Sequence, residues 1–176
     1  HRWAVKWGPL VVGELADGAA LRDAIRANRA EAVMHFAGSA YVGASNVDPR
    51  GYYANNVANG LALLDAMLDT SVGRLVFSST CATYGQQQTP FIAEDHPQVP
   101  VNPYGETKLA VERAIQWYGL AYGLRAVTLR YFNAAGADEG GELGETHDPE
   151  PHIIPIVLRA AAGEVPHVDL FGDDYP

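Results

Sequence analysis

Short apolar segments alternate with helix-forming segments along most of the chain, and this alternation restricts the fold more than any other feature. Apolar runs typical of strands occupy residues 10–13, 32–36, 74–79, 124–130 and 168–172. Segments with helical periodicity or helix-capping residues lie between or beside them, at 17–25, 49–68, 103–121 and 153–162. Parallel strands require such crossovers. The pattern therefore predicts an α/β fold, a doubly wound parallel sheet of the Rossmann-like kind.

Polar and glycine-containing clusters follow three of the predicted strands. They are Phe36-Ala37-Gly38-Ser39, Ser78-Ser79-Thr80 and Tyr131-Phe132-Asn133. Parallel sheets bind ligands at the carboxyl ends of their strands. We expect the three clusters to open onto one crevice, together with Tyr104 on the following helix.

Tyr104 and Lys108 are four residues apart, so on a helix both side chains project from one face. A phenol is too weakly acidic to act as a base near neutral pH, but a neighbouring ammonium favours the phenolate and lowers the pKa of the phenol. The pair predicts a proton-transfer site. Taken alone, the same spacing also fits an ordinary contact on a helix surface.

Composition and charge limit the classes of function. The net charge is −9 with 12 basic residues and no basic cluster, which argues against nucleic acid and anionic membranes as partners. No apolar run approaches the roughly 18 residues of a membrane span, and no secretory signal is visible. The single cysteine, Cys81, indicates a reducing, cytoplasmic compartment. His147 and His152 stand in a mixed loop without an evident second ligand pair, so we expect no metal site.

Six segments together resemble a known family, the extended short-chain dehydrogenase/reductases, and within it the UDP-glucose (UDP-galactose) 4-epimerases. The resemblance runs almost from end to end, in matching order. The segments are His35–Gly38, Tyr52–Val57, Phe77–Gly85, Asn102–Lys108, Leu129–Gly136 and Leu170–Pro176.

The resemblance implies interconversion of UDP-glucose and UDP-galactose through transient oxidation at sugar C4, with NAD as the cofactor. It implies three catalytic residues, Tyr104, Lys108 and Thr80. The cofactor contacts that it implies are Glu14, Leu15, Phe36, Ala37, Gly38, Asn55, Ser78, Lys108 and Tyr131. The substrate contacts that it implies are Thr80, Tyr104, Asn133, His152, Ile153, Leu170 and Phe171.

Two related activities stay open. A nucleotide-sugar 4,6-dehydratase of the same superfamily carries adjacent Asp-Glu after the catalytic Thr, whereas Cys81-Ala82 follow Thr80 here. Neither side chain supplies the acid and base that elimination of water requires. A 4-epimerase of another UDP-sugar, such as a pentose or an N-acetylated sugar, is also compatible with the residues.

The resemblance further indicates an internal fragment, because the Gly-x-x-Gly-x-x-Gly turn of the family is not found near the start. We expect a partial NAD-binding domain at 1–137, without the first βαβ segment, and the start of the UDP-sugar-binding region at 138–176. The 176-residue chain alone is then expected to bind NAD poorly and to lack useful epimerase activity, which leaves a catalytically incompetent remnant as a further alternative. In a full-length protein, the helices near 50–68 and 103–121 are the expected homodimer surfaces.

Overall fold

Three parallel strands in the order β1-β2-β3 form the sheet of the computed structural model, which describes residues 2–170 and 172–173. The strands are β1 Val33–His35, β2 Arg74–Thr80 and β3 Arg125–Tyr131. Phe77 of the central strand pairs with His35 on one side and Thr128 on the other. Strand order follows chain order with helical crossovers, which confirms the predicted parallel α/β sheet.

The helices occupy the segments where periodicity predicted them, with one addition. They are α1 Gly18–Ala27, α2 Val42–Val47, α3 Pro49–Tyr52, a π-helical turn Tyr53–Ala58, α4 Asn59–Asp69, α5 Pro103–Tyr122 and α6 Ile153–Ala161. The segments from α3 to α4 form the helix expected at 49–68. Helix α2 was not predicted, because it is short, contains Gly43 and Asn46, and has no side-chain cap at Tyr41.

Capping residues set the ends of α1 and α5. The Asp17 carboxylate accepts hydrogen bonds from the backbone N–H groups of Ala19 and Ala20, at 3.1 and 3.0 Å. At α5, the Asn102 side chain accepts from the N–H of Gly105 at 2.8 Å. Gly123 ends this helix in the left-handed conformation, with φ +75°.

Two predicted strands are wrong. Residues 10–13 form no strand, and Val12 is 76% exposed. Residues 168–170 and 172 also lack strand structure, while Phe171 lies outside the described residues. β propensity produces a strand only where a neighbouring strand accepts its hydrogen bonds, and neither segment pairs with β1, β2 or β3. Among the described residues, β1 is the outermost strand on its side of the sheet.

The core packs α4 and α5 against the central strand. Leu64, Met67, Phe77 and Val111 are each no more than 2% exposed, and Leu75 and Ile115 join the same cluster. This packing fixes the position of α5, the helix that carries Tyr104 and Lys108, relative to the end of β2.

The chain divides into two compact units. Residues 7–132 contain the sheet and helices α1 to α5, and residues 1–6 with 133–176 make up the other unit, which contains α6. The ligand-binding roles assigned to 1–137 and 138–176 stay predictions. Within the described part of the chain, no helix combines the length and the apolar character needed to cross a membrane.

Candidate active site at the carboxyl ends of the strands

Lys108 lies beneath the carboxyl end of β2, on the helix that also carries Tyr104. Its side chain is buried, and its Nζ donates a hydrogen bond to the carbonyl oxygen of Ser78 at 3.0 Å. The same ammonium lies 5.2 Å from the centre of the Phe77 ring. Burial lowers the pKa of Lys108 to about 8, so the side chain is still mainly a cation at neutral pH.

Thr80 and Tyr104 form the second pair at this edge. The Thr80 hydroxyl oxygen accepts a hydrogen bond from the N–H of Ala82 at 3.1 Å, in the 3-10 turn Cys81–Thr83. That acceptor role leaves the hydroxyl hydrogen free to interact with the Tyr104 phenol, and Thr80 lowers the pKa of Tyr104 accordingly. Gly105 allows the close approach, since a Cβ there would lie 2.5 Å from the carbonyl oxygen of Ala82.

The pKa of Tyr104 corrects one expectation. Burial raises this pKa above its ordinary value, and the hydrogen bond from Thr80 offsets only part of the increase. Cys81 and Tyr52 add smaller unfavourable interactions with the phenolate. The predicted lowering by Lys108 is therefore wrong for this structure, because desolvation of the phenolate is the largest contribution and the Lys108 ammonium is hydrogen-bonded to the Ser78 carbonyl.

Sequence reasoning did not single out His35 for the site. It ends β1, is 6% exposed, and its ring centre lies 5.5 Å from that of Phe77. Burial, followed by the positive charge of Lys108, lowers the pKa of His35 to about 4. The imidazole is therefore neutral at pH 7 and adds no competing charge beside Lys108. The sequence signal that could have identified His35 as part of the site is its position at the end of an apolar strand.

Stability should depend on pH through His35. The unfolded side chain takes up a proton below its ordinary pKa of 6.5, whereas the folded one does so only near 4. The free energy of unfolding should therefore fall by about 2 kcal/mol as the pH drops from 6.5 to about 5. Urea unfolding of the wild type and His35→Gln across this range measures the effect. The variant should lose that dependence, and equal slopes in the two proteins would contradict the assignment.

Asn56 is a second residue that the sequence did not single out. Its Oδ1 accepts from the N–H of Ser39 at 2.8 Å, and its Nδ2 donates to the Ser39 carbonyl at 3.0 Å and to Thr107 Oγ1 at 3.1 Å. These bonds tie the loop after β1 to α5, next to Lys108. Asn55, predicted as a cofactor contact, donates to the Ser39 hydroxyl at 2.9 Å. Both asparagines lie in the π-helical turn, a feature frequent at functional sites.

The strip of residues 36–38, which follows β1, leaves room for a ligand beside Lys108. Gly38 has φ +154°, and a Cβ there would come within 3.1 Å of Asn56 Oδ1 and 3.3 Å of Lys108 Nζ. Phe36 is 55% exposed at the same edge. Among the described residues, Lys108 has one hydrogen-bond acceptor, whereas an ammonium offers three donors. The residues present therefore fit a hydroxyl-bearing ligand, such as a nucleotide cofactor, close to the backbone.

The remaining predicted cofactor contacts lie in the same unit. Tyr131 ends β3 and stands opposite Thr80 in the strand register, with 37% of its surface exposed. The structure thus brings Tyr131 beside the end of the strand that carries Thr80. Glu14 is exposed and Leu15 half-buried, in the segment that precedes α1. Their role toward a cofactor stays a prediction.

The other unit carries Asn133, His152, Ile153 and Leu170. His152 is the N-cap residue of α6, Ile153 is 62% exposed and Leu170 is 80% exposed. Asn133 is also exposed. Phe171, the last predicted substrate contact, lies outside the described residues. Their roles toward a substrate stay predictions.

The loop before α6 gathers four potential metal ligands. Ligand atoms of Glu145, His147, Glu150 and His152 lie within 4.8 Å of one another. A second pair of potential ligands, which the sequence did not make evident, is therefore present. His147 Nδ1 lies 3.4 Å from a Glu145 oxygen, and His152 Nδ1 contacts the same carboxylate. Histidine–carboxylate pairing accounts for this grouping, and the absence of a metal stays a prediction.

Comparisons with known proteins agree on one family. The model of the NAD dependent epimerase/dehydratase family matches residues 2–176. The chain is 47% identical over 175 residues to a UDP-glucose 4-epimerase of Rhizobium meliloti (strain 1021), covering 99% of this chain and 53% of that relative. It thus spans about half the length of the curated relatives that it matches.

Solved structures give the same result. A UDP-glucose 4-epimerase from Brucella ovis in complex with NAD matches with a TM-score of 0.95 and 51% identity, over 99% of this chain and 54% of that one. One from Bifidobacterium longum in complex with NAD+ and UDP matches with a TM-score of 0.88 and 36% identity, over 98% and 53%.

Proposed function

Because this chain belongs to the NAD dependent epimerase/dehydratase family, we propose that the whole protein carrying it interconverts UDP-glucose and UDP-galactose, with NAD as cofactor. The observation that carries the proposal is the group at the strand ends. The Thr80 side chain lies close enough to Tyr104 to lower the pKa of the phenol, and Lys108 lies one helical turn further along α5. A phenol, a hydroxyl and an ammonium at one sheet edge suit proton transfer at a sugar hydroxyl.

NAD fits the strip from Phe36 to Gly38, where backbone is exposed beside the spare donors of Lys108. In this role Lys108 binds the ribose hydroxyls of the cofactor, and Ser78 holds the ammonium in place through its carbonyl. Asn55 steadies Ser39 at the same strip. When bound, NAD supplies a hydride acceptor and donor for sugar C4 and a positively charged ring that favours the phenolate of Tyr104.

The proton path uses residues of this chain. Tyr104 takes the proton of the sugar 4-hydroxyl and later returns it, and Thr80 passes it between the two oxygens. The Thr80 hydroxyl oxygen accepts a hydrogen bond from the Ala82 N–H, which leaves its hydrogen available to Tyr104. Burial keeps Tyr104 protonated in the absence of substrate and cofactor, because it raises the pKa of the phenol.

The residues after Thr80 favour epimerisation over dehydration. A 4,6-dehydratase needs an acid and a base to eliminate water, and the 3-10 turn offers the thiol of Cys81 and the methyl of Ala82 instead. Two alternatives are that the substrate is a different UDP-sugar and that the protein has no activity. The incubations described below separate them.

The remaining predicted substrate contacts belong to the unit made of residues 1–6 and 133–176. We assign contacts with the UDP-sugar to Asn133, His152, Ile153, Leu170 and Phe171. For the whole protein we also propose a cytoplasmic location, supported by the single cysteine. Homodimer formation through the helices near 50–68 and 103–121 is supported by exposed Trp117 and Leu120 on α5, at 69% and 78%.

The test is incubation of the whole protein with UDP-galactose and NAD, with products separated by anion-exchange chromatography. UDP-glucose should form without net NADH production, because the hydride returns to the sugar. Parallel incubations with a UDP-pentose and an N-acetylated UDP-hexose identify a different sugar preference. Formation of a 4-keto-6-deoxy sugar, or no conversion of any sugar by protein that binds NAD, would contradict the proposal.

A further inference from the structure

Glu112 is a charged residue in the interior of α5. Its surface is 2% exposed, and it lies one helical turn beyond Lys108, in the series Tyr104, Lys108, Glu112. A carboxylate so far from water is costly unless it is paired and hydrogen-bonded. No role has been assigned to it so far, and its partners lie on three other segments.

Those partners form a closed hydrogen-bond network. The Ser79 hydroxyl on β2 donates to Glu112 Oε1. Arg130 on β3 donates to both carboxylate oxygens, with Nη2 at 2.8 Å from Oε2. Gln98 donates to Oε2 at 3.0 Å. The hydrogen bonds between Arg130 and Glu112 raise the pKa of the Arg130 guanidinium, so this group stays charged.

Arg130 extends the network into the segment between β2 and α5. Its Nη1 donates to the Tyr84 hydroxyl at 2.9 Å and to the Glu94 carbonyl at 2.8 Å. Its guanidinium carbon lies 5.1 Å from the centre of the Tyr84 ring. Glu112 and Arg130 thus connect α5, both longer strands and the loop that follows the Cys81–Thr83 turn.

The Ser79 contact matters for the proposed chemistry because Ser79 directly precedes Thr80. The end of β2 therefore meets α5 through the hydrogen bond of Ser79 with Glu112, and the next residue, Thr80, lies near enough to Tyr104 to influence its pKa. Tyr104 and Glu112 lie on the same rigid helix, two turns apart. A strand end held at one point is restrained at the next residue.

We propose that Glu112 is a positioning residue, which holds Thr80 within hydrogen-bond reach of Tyr104 through its bond with Ser79. This inference rests on the proposed function. Charge balance does not require the Ser79 bond, since Arg130 already neutralises the carboxylate. Removing only the Ser79 hydroxyl therefore leaves Glu112 paired with Arg130 and Gln98.

The test compares two buried serines in the whole protein, Ser79→Ala and Ser45→Ala. Ser45 is 0% exposed and donates one hydrogen bond to the Val42 carbonyl at 2.6 Å, within α2. Both substitutions remove one buried hydroxyl and its bond, so similar losses of melting temperature are expected. Only Ser79→Ala should lower kcat, by about tenfold, with KM for the UDP-sugar nearly unchanged, because the reacting groups are misplaced and the substrate contacts are not.

A second readout is the pH profile of kcat. The hydrogen bond from Thr80 lowers the pKa of Tyr104, so a looser bond should move the profile of Ser79→Ala to higher pH. Cys81, Tyr52 and Lys108 are the other titratable groups near Tyr104, and none is changed by the substitution. Ser45→Ala should keep the wild-type profile.

Glu112→Gln supplies an independent variant of nearly equal volume. It should shift kcat and the pH profile in the same direction, and combining it with Ser79→Ala should add less than the sum of the two effects. Wild-type kcat and profile in Ser79→Ala would overturn the inference, as would equal changes in Ser79→Ala and Ser45→Ala. Failure of the proposed function is distinct, since it would appear as no conversion of UDP-galactose by the wild-type protein.

Discussion

Replacing Tyr104 by phenylalanine is expected to lower turnover of UDP-galactose by about 10²- to 10⁴-fold in the whole protein, the range typical of a lost general acid–base group. The substitution removes one oxygen and keeps the ring. The edge-to-face contact with Tyr52, at 6.5 Å between ring centres, can therefore persist. Conversion to UDP-glucose under saturating UDP-galactose measures the loss.

Cofactor binding should survive the same substitution. The strip from Phe36 to Gly38 and the donors of Lys108 are unchanged, so the NAD content of the purified variant should equal that of the wild type. Tyr118→Phe is the matched control, since it removes a hydroxyl on the same helix that donates to Asp65 at 2.6 Å. Its turnover should stay within about a factor of two of the wild type, as expected for a change away from the site. A Tyr104→Phe protein with near-normal turnover would exclude the proton-transfer role.

Phe77→Ala should cost about 3–5 kcal/mol in the free energy of unfolding, the usual range for a buried phenylalanine in a packed core. Phe77 is 1% exposed in the centre of the sheet, among the core residues of α4 and α5. Its ring also contacts His35 and lies under the ammonium of Lys108. The cavity left by the ring would therefore weaken the core and also remove the contacts of Phe77 with His35 and Lys108 at the candidate site.

Urea unfolding of the wild type, Phe77→Ala and Phe91→Ala measures this cost. Phe91 is 88% exposed, so the same chemical change at that position should alter the free energy of unfolding by no more than about 0.5 kcal/mol. Equal midpoints for Phe77→Ala and Phe91→Ala would mean that Phe77 does not lie in the core described above.

Local signals were sufficient wherever a few neighbouring residues decide the conformation. Asp17 caps α1 at the start of the segment predicted as helical at 17–25, and α5 begins at Pro103, where the helix at 103–121 was predicted. These signals act within one helical turn, through side-chain bonds to backbone N–H groups and the restricted φ of proline. The parallel sheet was predictable for a similar reason, since strand and helix periods alternate along the chain.

Strand formation at residues 10–13 and 168–172 could not be settled locally. Both segments have apolar, strand-like compositions, but a strand is completed by hydrogen bonds to a neighbour that is distant in sequence. Helix α2 shows the converse, because a six-residue helix without a side-chain cap forms beside the packed α5 despite weak local signals. In these cases tertiary contacts outweighed propensity.

At the candidate site, the amino-acid sequence alone is enough to name the available side chains, and the spacing places Tyr104 and Lys108 on one helix face. The resemblance added Thr80 from a different strand. How these groups interact depends on the way the helix and the strands pack together. Burial raises the pKa of Tyr104 although a lysine lies one turn away, because desolvation depends on everything packed around the phenol. The same holds for Glu112, whose partners Ser79 and Arg130 are 33 and 18 residues distant and meet it only when the strands and α5 are packed together.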